Sequence, residues 1–261
     1  MHNVFTLCNH SPWVVGSREF NDDPRPITIG IVREDNRHLF EKLDAEDSPL
    51  RRGEIFNDYM SVKFQLHDWP SHAAAARSSL KNSYARFLRG WSVDSNSIEG
   101  AVLKSWVESR IGLPPTFHRG KVLDGSEEGN MPYEIDRVRG SARTNAILSQ
   151  LDVLYEFCQY ELARRLPGIR CLTLWRGTCD AADYRIIERG ERRSACILMN
   201  NISSFTSDRE CAWEFGSTVW EASVPVVKIF FYSGLLPDSI LKGEDEYLVI
   251  GGEYRVKELL C

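Results

Sequence analysis

Residues 146–178 read AILSQLDVLYEFCQYELARRLPGIRCLTLWRGT, and the pattern of the chain changes within this stretch. Its first part, residues 146–166, carries apolar side chains at the spacing of one helical face, and Pro167 and Gly168 follow as a helix terminator. From Cys171 onward the segments are short and rich in β-branched and aromatic residues, which is typical of strands. The stretch therefore predicts a long helix that is followed, from about residue 168, by a sheet.

The segments upstream of this point are also helical. Residues 51–66 and 97–111 repeat apolar side chains at helical spacing, and the second segment ends at Gly112. Residues 119–139 are polar and contain glycine and proline, so we expect a long surface loop there.

The segments downstream read as strands with one helix between them. Ser207 is the predicted N-cap of that helix, Glu210 is its capping-box partner and Gly216 ends it. The candidate strands are residues 171–175, 194–199, 218–222, 226–232, 246–250 and 254–259. Helices followed by a run of strands predict an α+β fold rather than a doubly wound one. The sequence also lacks both GxGxxG and GxxxxGK[ST], the loops that bind dinucleotides and triphosphates.

The composition is that of a soluble globular protein with a proper core. The 261 residues are 43% apolar and 26% charged, and the net charge of −5 argues against a dedicated nucleic-acid binder. No segment reaches the roughly 18–20 apolar residues of a membrane span, and residues 1–13 lack the pattern of a signal peptide. We expect a cytoplasmic protein in which a helical portion, residues 1–167, and a strand-rich core, residues 168–261, form one compact unit.

The cysteines, histidines and tryptophans point to no separate chemistry. The seven cysteines contain no CxxC pair, and we expect reduced, mostly buried thiols. The six histidines show no HExxH, so no metal site is expected. Trp69, Trp91 and Trp106 are interpreted as core residues.

Three short motifs in the strand-rich part carry groups that suit nucleotide chemistry. Arg176 ends a predicted strand and is followed by Gly177 and Thr178; its planar fork of donors suits a pyrophosphate, although a solvated surface arginine explains it equally simply. Residues 203–207 carry hydroxyl groups that lead into a helix, where they either cap the helix or bind a phosphate or ribose.

The third motif opens a strand with acidic residues. If Glu244 and Glu246 are both extended, the period of two places both carboxylates on one face, with Asp245 on the other. Two carboxylates on one face repel each other, which favours a cationic ligand or a catalytic role. A solvated loop is the alternative interpretation of the same residues.

The ordered set of strand arginine, serine-rich strand and Glu-x-Glu resembles the Arg–Ser–Glu class of mono-ADP-ribosyltransferases, in which Glu-x-Glu goes with an arginine acceptor. Residues 100–110 and 151–158 resemble segments of dinitrogenase reductase ADP-ribosyltransferases, and the likeness runs from about Asn9 to the end of the chain. One departure concerns the serines: the class often has Ser-Thr-Ser, where this chain has Ser204, Phe205, Thr206 and Ser207.

The resemblance implies a split β-sandwich and NAD as the substrate, with no metal. It implies that Glu246 stabilises the oxocarbenium-like ribose and contacts its 2′-hydroxyl, and that Glu244 holds the acceptor guanidinium and helps to remove its proton. It further implies that Arg176, with Gly177 and Thr178, binds the phosphates. The residues implied to position Glu246 or to contact the nicotinamide ribose are Ser204, Thr206 and Ser207.

The implied partner is dinitrogenase reductase, the iron protein of nitrogenase, with control by a P-II signalling protein. Modification of one of its arginines would block docking to its electron acceptor and switch nitrogen fixation off. No nucleic acid and no membrane span are expected. Two alternatives stay open: the same chemistry on a different protein, and a catalytically idle NAD-binding interaction module.

Overall fold

The computed structural model describes residues 6–66, 83–122, 127–142, 146–179, 184–237 and 245–259. Helices precede an antiparallel sheet, which confirms the predicted α+β class. The helices are α1 (Pro12–Val15), α2 (Arg18–Asp22), α3 (Val32–Asp35), α4 (Arg37–Asp44), α5 (Pro49–Lys63), α6 (Tyr84–Val93), α7 (Ile98–Ile111), α8 (Glu127–Ser141), α9 (Ile147–Arg165) and α10 (Arg209–Glu214). No helix in the described ranges is both long enough and apolar enough to span a bilayer.

The strands form one sheet that closes on itself. They are β1 (Cys171–Thr178), β2 (Arg185–Arg189), β3 (Ser194–Thr206), β4 (Thr218–Pro225), β5 (Ile229–Tyr232) and β6 (Glu246–Leu259). Neighbours run in the order β2-β3-β1-β4-β6-β5, all antiparallel, and β3 also pairs with β6. Strands β1, β4, β6 and β3 therefore make a ring, to which β2 and β5 are added at the outside.

Strand β6 joins two segments that the sequence predicts as separate strands. Its central Gly251 and Gly252 do not end it, because Asn200 of β3 packs against Gly251 and the N-terminal segment packs against Gly252. Gly252 has φ +109°, and a Cβ there would lie 2.5 Å from the carbonyl oxygen of Gly16. The amide of Glu253 donates to the same carbonyl at 2.7 Å. The glycines mark a close approach of two backbones rather than a turn.

The helices cover the sheet through α9, which is buried along most of its length. The ring of Phe157 stacks on Phe56 of α5 at 4.1 Å between centroids, and Trp106 of α7 packs against Phe230 of β5 at 4.8 Å. One cluster of buried apolar side chains contains residues from both sides of residue 168. The helices and the sheet therefore share their core, and each such buried side chain stabilises the fold by roughly 1.5–3 kcal/mol.

The predicted loop at residues 119–139 is wrong, because residues 127–141 form helix α8. The glycine and tyrosine of this segment serve helix packing. A Cβ on Gly140 would lie 2.4 Å from Val102 of α7, and the Tyr133 hydroxyl donates to Glu108 at 2.6 Å. Pro132 lies in the second turn, where it removes one intrahelical hydrogen bond. Local composition indicated a loop, but contact with α7 decides the outcome.

Smaller corrections concern element ends. The N-cap of α10 is Asp208 rather than Ser207, because the Asp208 carboxylate accepts from the amides of Glu210 and Cys211. The predicted strand at residues 226–232 begins with a 3₁₀ turn, Val226–Lys228. Strand β2 and helix α6 were not predicted. The described cysteines are free thiols, of which only Cys158 and Cys196 are buried, so the expected burial is partly wrong.

Candidate active site

A cleft of about 430 Å³ lies where β1 and β3 end and β6 begins, beside the segment that joins α6 to α7. A smaller cavity of about 190 Å³ adjoins it and shares Trp91, Arg176, Thr178, Tyr184 and Ser204 with it. The larger cleft is lined by Trp91, Ser92, Val93, Asp94, Ser95, Trp175, Arg176, Gly177, Thr178, Cys179, Tyr184, Ser204, Phe205, Thr206, Phe215 and Glu246. The arginine, serine and glutamate motifs of the sequence therefore meet in one place.

Strand pairing brings Ser204 to Glu246. In the β3–β6 ladder Thr206 lies opposite Glu246 and Ser204 lies opposite Leu248, so Ser204 is the diagonal neighbour of Glu246 on the same face. The Ser204 hydroxyl donates to Glu246 Oε1. Glu246 is only 6% exposed, and its carboxylate is held at the wall of the cleft.

Arg176 is held by neutral oxygen atoms. Its Nη1 donates to the Ser204 carbonyl at 2.6 Å, and its Nε and Nη2 donate to the Tyr184 hydroxyl at 3.0 and 2.9 Å. The Tyr184 ring packs edge-on against Trp220 at 4.5 Å between centroids. None of the ion pairs formed among the described residues includes Arg176. Its position is fixed without neutralising its charge, which suits an anionic ligand.

Gly177 and Thr178 also line the cleft, but packing explains the glycine. A Cβ on Gly177 would lie 1.9 Å from the carbonyl oxygen of Ala212, so only a glycine lets α10 lie against β1. The sequence-based interpretation, a close approach of ligand to backbone, is compatible with this contact but is not needed to explain it. The side chain of Thr178 is nearly buried at the end of β1.

The remaining predicted residues lie at the edge of the site or beyond the description. Ser207 is exposed and is absent from the cleft wall; its amide donates to the Asp245 carbonyl at 3.3 Å. Glu244 lies outside the described residues. Strand β6 begins at Glu246, and Asp245 has φ +42°, so the extended geometry assumed for the Glu244 and Glu246 pair does not continue through Asp245.

The helical portion supplies a wall of the cleft that the motifs did not reveal. Trp91 was interpreted as core, and it is 4% exposed, but its indole Nε1 also donates to the Ser204 hydroxyl at 2.8 Å. Tyr184 received no role at all. Neither residue has a sequence signal of its own, because each reaches the site through contacts with distant segments. Trp106 is a core residue as predicted, and Trp69 lies outside the described residues.

This wall is fixed from beneath by a buried polar cluster. Asn96 accepts from the Lys104 ammonium at 3.1 Å, and its carbonyl accepts from Arg119 Nε at 3.0 Å. Lys104 also lies 3.3 Å from His118 Nδ1, and His118 Nε2 lies 3.1 Å from Asp136. Burial lowers the pKa of Lys104 to about 7 and also lowers the pKa of His118. The cluster holds residues 94–96 against the cleft.

Comparison with known proteins identifies the family of the chain. The family model described as dinitrogenase reductase ADP-ribosyltransferase (DRAT) matches residues 5–258. A protein of Rhodospirillum rubrum named NAD(+)–dinitrogen-reductase ADP-D-ribosyltransferase is 44% identical over 250 residues, which are 94% of this chain and 90% of that protein. No solved structure matches the chain. The resemblance predicted from the sequence is confirmed, and the chain belongs to the dinitrogenase reductase ADP-ribosyltransferase family.

Proposed function

We propose that this chain transfers the ADP-ribose of NAD to an arginine side chain of dinitrogenase reductase and releases nicotinamide. Membership of the family and the name of the Rhodospirillum rubrum relative support the substrate and the target. The observation that carries the chemistry is the meeting of Arg176, Ser204 and Glu246 in one cleft. Each of them comes from a different motif of the Arg–Ser–Glu set.

We propose further that the sheet is the split β-sandwich of ADP-ribosyltransferases. The ring of β1, β4, β6 and β3 supports this proposal, because β6 changes partner along its length. Its first residues pair with β5 and its last residues with β4, while β3 follows it almost throughout. The cleft lies at the end of the ring where β6 begins.

Glu246 acts on the bond to nicotinamide. When the glycosidic C–N bond breaks, its electron pair leaves with nicotinamide, which departs neutral, and positive charge develops at the ribose carbon and ring oxygen. A buried carboxylate already fixed by a hydrogen bond stabilises that charge without reorganising. Glu246 also accepts from the ribose 2′-hydroxyl. Ser204 positions the carboxylate, and Thr206 lies beside it in the ladder.

Arg176 binds the pyrophosphate. Three of its donors are engaged by Ser204 and Tyr184, and its remaining N–H groups are available to phosphate oxygens. Both lone pairs of the Tyr184 hydroxyl oxygen accept from Arg176, so the hydroxyl proton is available to donate to the ligand. Gly177 and Thr178 border the same region with their backbone. Ser207 contacts the ligand only at the outer edge of the cleft.

Glu244 serves the acceptor. The guanidinium of the target arginine is protonated at any ordinary pH and is a poor nucleophile. In this proposal the Glu244 carboxylate binds it and accepts its proton as the new N–C bond forms. Transfer then ends with ADP-ribose on the arginine and the proton on Glu244. Modification blocks docking of the iron protein to its electron acceptor, and a P-II signalling protein controls the transferase.

The test is transfer to the purified target. The protein is incubated with labelled NAD and purified dinitrogenase reductase, and the modified residue is mapped by mass spectrometry. We expect label on one arginine, and none with E246Q. Label on another protein in a crude extract, with none on dinitrogenase reductase, would support the alternative target. Binding of NAD without any cleavage would support the idle module.

A further inference from the structure

The indole of Trp91 belongs to the same hydrogen-bonded chain as the catalytic carboxylate. Its Nε1 donates to Ser204 Oγ at 2.8 Å, and Ser204 Oγ donates to Glu246 Oε1. Trp91 is in α6, more than 100 residues before Ser204, and is 4% exposed. The helical portion therefore touches the group that holds Glu246.

The chemistry of the three groups determines which of them donates and which accepts in these two hydrogen bonds. An indole nitrogen can only donate, so Ser204 Oγ must accept from it. The serine hydroxyl has one proton, which is then left for the carboxylate. Without the indole N–H, the hydroxyl is free to rotate and to donate to water or to another acceptor. Trp91 thereby selects the orientation in which Ser204 supports Glu246.

The indole itself is held by a rigid pair of helices. Arg86 of α6 forms an ion pair with Glu99 of α7 at 2.7 Å. A Cβ on Gly90 would lie 2.5 Å from Glu99, so the two helices meet closely beside Trp91. The Lys104 ammonium lies 6.0 Å from the centre of the Trp91 ring. These contacts leave the indole little freedom to turn away from Ser204.

We propose that Trp91 is a positioning residue for ADP-ribose transfer, acting through Ser204 on Glu246. This inference rests on the proposed function. Both portions of the chain then position the catalytic carboxylate. The strands supply Ser204 and Glu246, and the helices supply the N–H donor that orients the Ser204 hydroxyl.

The kinetic test removes the indole N–H, and the second of its two variants also keeps the bicyclic shape of the side chain. Trp91 is replaced by phenylalanine and, separately, by 3-benzothienylalanine, in which sulfur takes the place of the indole N–H. We expect kcat for NAD cleavage to fall about tenfold, on the scale of one hydrogen bond, with KM for NAD changed less than about threefold. Because Trp91 acts through Ser204, adding W91F to S204A should cause no further loss.

The matched control is W106F. Trp106 is also buried in the helical portion, and its Nε1 donates to Asp152 at 2.7 Å, away from the cleft. W106F should lower thermal stability and leave kcat unchanged. Unchanged kcat in the benzothienyl variant, or full additivity of W91F and S204A, would overturn the role of Trp91.

A second measurement does not depend on activity. The exchange rate of the Trp91 indole proton, followed by NMR of nitrogen-labelled protein, should rise in S204A and in E246Q relative to the wild type. Equal protection in all three proteins would contradict the chain of hydrogen bonds. A wild-type protein that neither cleaves NAD nor modifies the target would instead contradict the proposed function, so the two failures are distinguishable.

Discussion

At the scale of single residues, the two glutamates are expected to separate the two halves of the reaction. E246Q should abolish both transfer and slow NAD hydrolysis, because both pass through the same oxocarbenium-like state. E244Q should lose transfer to arginine and keep measurable hydrolysis. Nicotinamide release with and without the target protein measures both rates. Equal losses in the two variants for both reactions would contradict the division of roles.

Arg176 and Tyr184 are expected to act as one phosphate-binding pair. R176A should weaken NAD binding by roughly 1.5–3 kcal/mol, the scale of a hydrogen bond to a charged group. R176K should recover only part of this, because a point charge does not reproduce the fork. Y184F removes the acceptor of Arg176 Nε and Nη2 and should weaken binding by about 1 kcal/mol. Calorimetric titration with NAD measures each value; unchanged affinity in R176A would place the phosphates elsewhere.

The sequence could predict only those site residues that belong to motifs at the ends of strands. Arg176, Ser204 and Glu246 belong to such motifs, and pairing of their strands follows from the order of the sheet. Trp91 and Tyr184 were not predictable, because a buried tryptophan and a loop tyrosine look the same whether or not they reach a site. Only contacts between separate segments distinguish them: Trp91 reaches Ser204 of β3, and Tyr184 reaches Arg176 of β1.

At the scale of elements, the contact between β1 and α10 is expected to tolerate no side chain at residue 177. In G177A the new Cβ would meet the Ala212 carbonyl, so α10 has to shift and the free energy of unfolding should fall by about 1–3 kcal/mol. The matched control is G120A, since nothing lies within 4 Å of a Cβ there. Urea denaturation compares the two. Wild-type stability in G177A would show that α10 moves freely.

The helical spacing of apolar residues predicted α7 and α9 correctly, although both helices are buried on nearly all sides rather than on one face. Helix α8 did not follow, because residues 119–139 are polar and contain glycine and proline, and the continuity of β6 did not follow, because Gly251 and Gly252 read locally as a break. Glycines in both elements are instead places where another segment approaches: Val102 at Gly140, Asn200 at Gly251 and Gly16 at Gly252. A glycine chosen for close packing and a glycine chosen for a turn cannot be separated without the partner.

At the scale of the whole molecule, a buried lysine should make stability depend on pH. Lys228 is fully buried, and burial lowers its pKa to about 7. Between this value and the ordinary lysine value, the unfolded chain binds a proton that the folded chain does not, so the contribution of Lys228 to stability increases as pH rises. K228M should have a higher free energy of unfolding than the wild type, and this difference should be largest below pH 7. It should decline above pH 7 by at most about 1.4 kcal/mol per pH unit.

Urea denaturation at acid, neutral and alkaline pH measures this difference. The matched control is K257M, because Lys257 is exposed, and K228M should exceed it in stability most at acid pH. A stability difference between K228M and the wild type that does not change with pH would show that Lys228 stays protonated in the fold.

The solvent-exposed surface of the helical portion should matter for the protein target more than for NAD. If it recognises a large acceptor, free arginine should be a very poor substrate, because remote contacts position the guanidinium. Substitutions on the exposed face of α5 should slow modification of dinitrogenase reductase and leave NAD hydrolysis intact; α7 offers no such face, because most of its residues are buried. Unchanged modification of dinitrogenase reductase by these variants would show that the exposed face of α5 does not contact the target.

The contact of the N-terminal segment with β6 has a consequence for how the chain folds during synthesis. Besides the Gly16 and Glu253 bond, the side chain of Asn21 donates to the Glu253 carbonyl at 2.8 Å, across 232 residues of sequence. The first helices therefore cannot reach their native neighbours until the last strand has left the ribosome. Contacts of such separation close slowly, and until then the apolar faces of the early helices are exposed to aggregation or to chaperones.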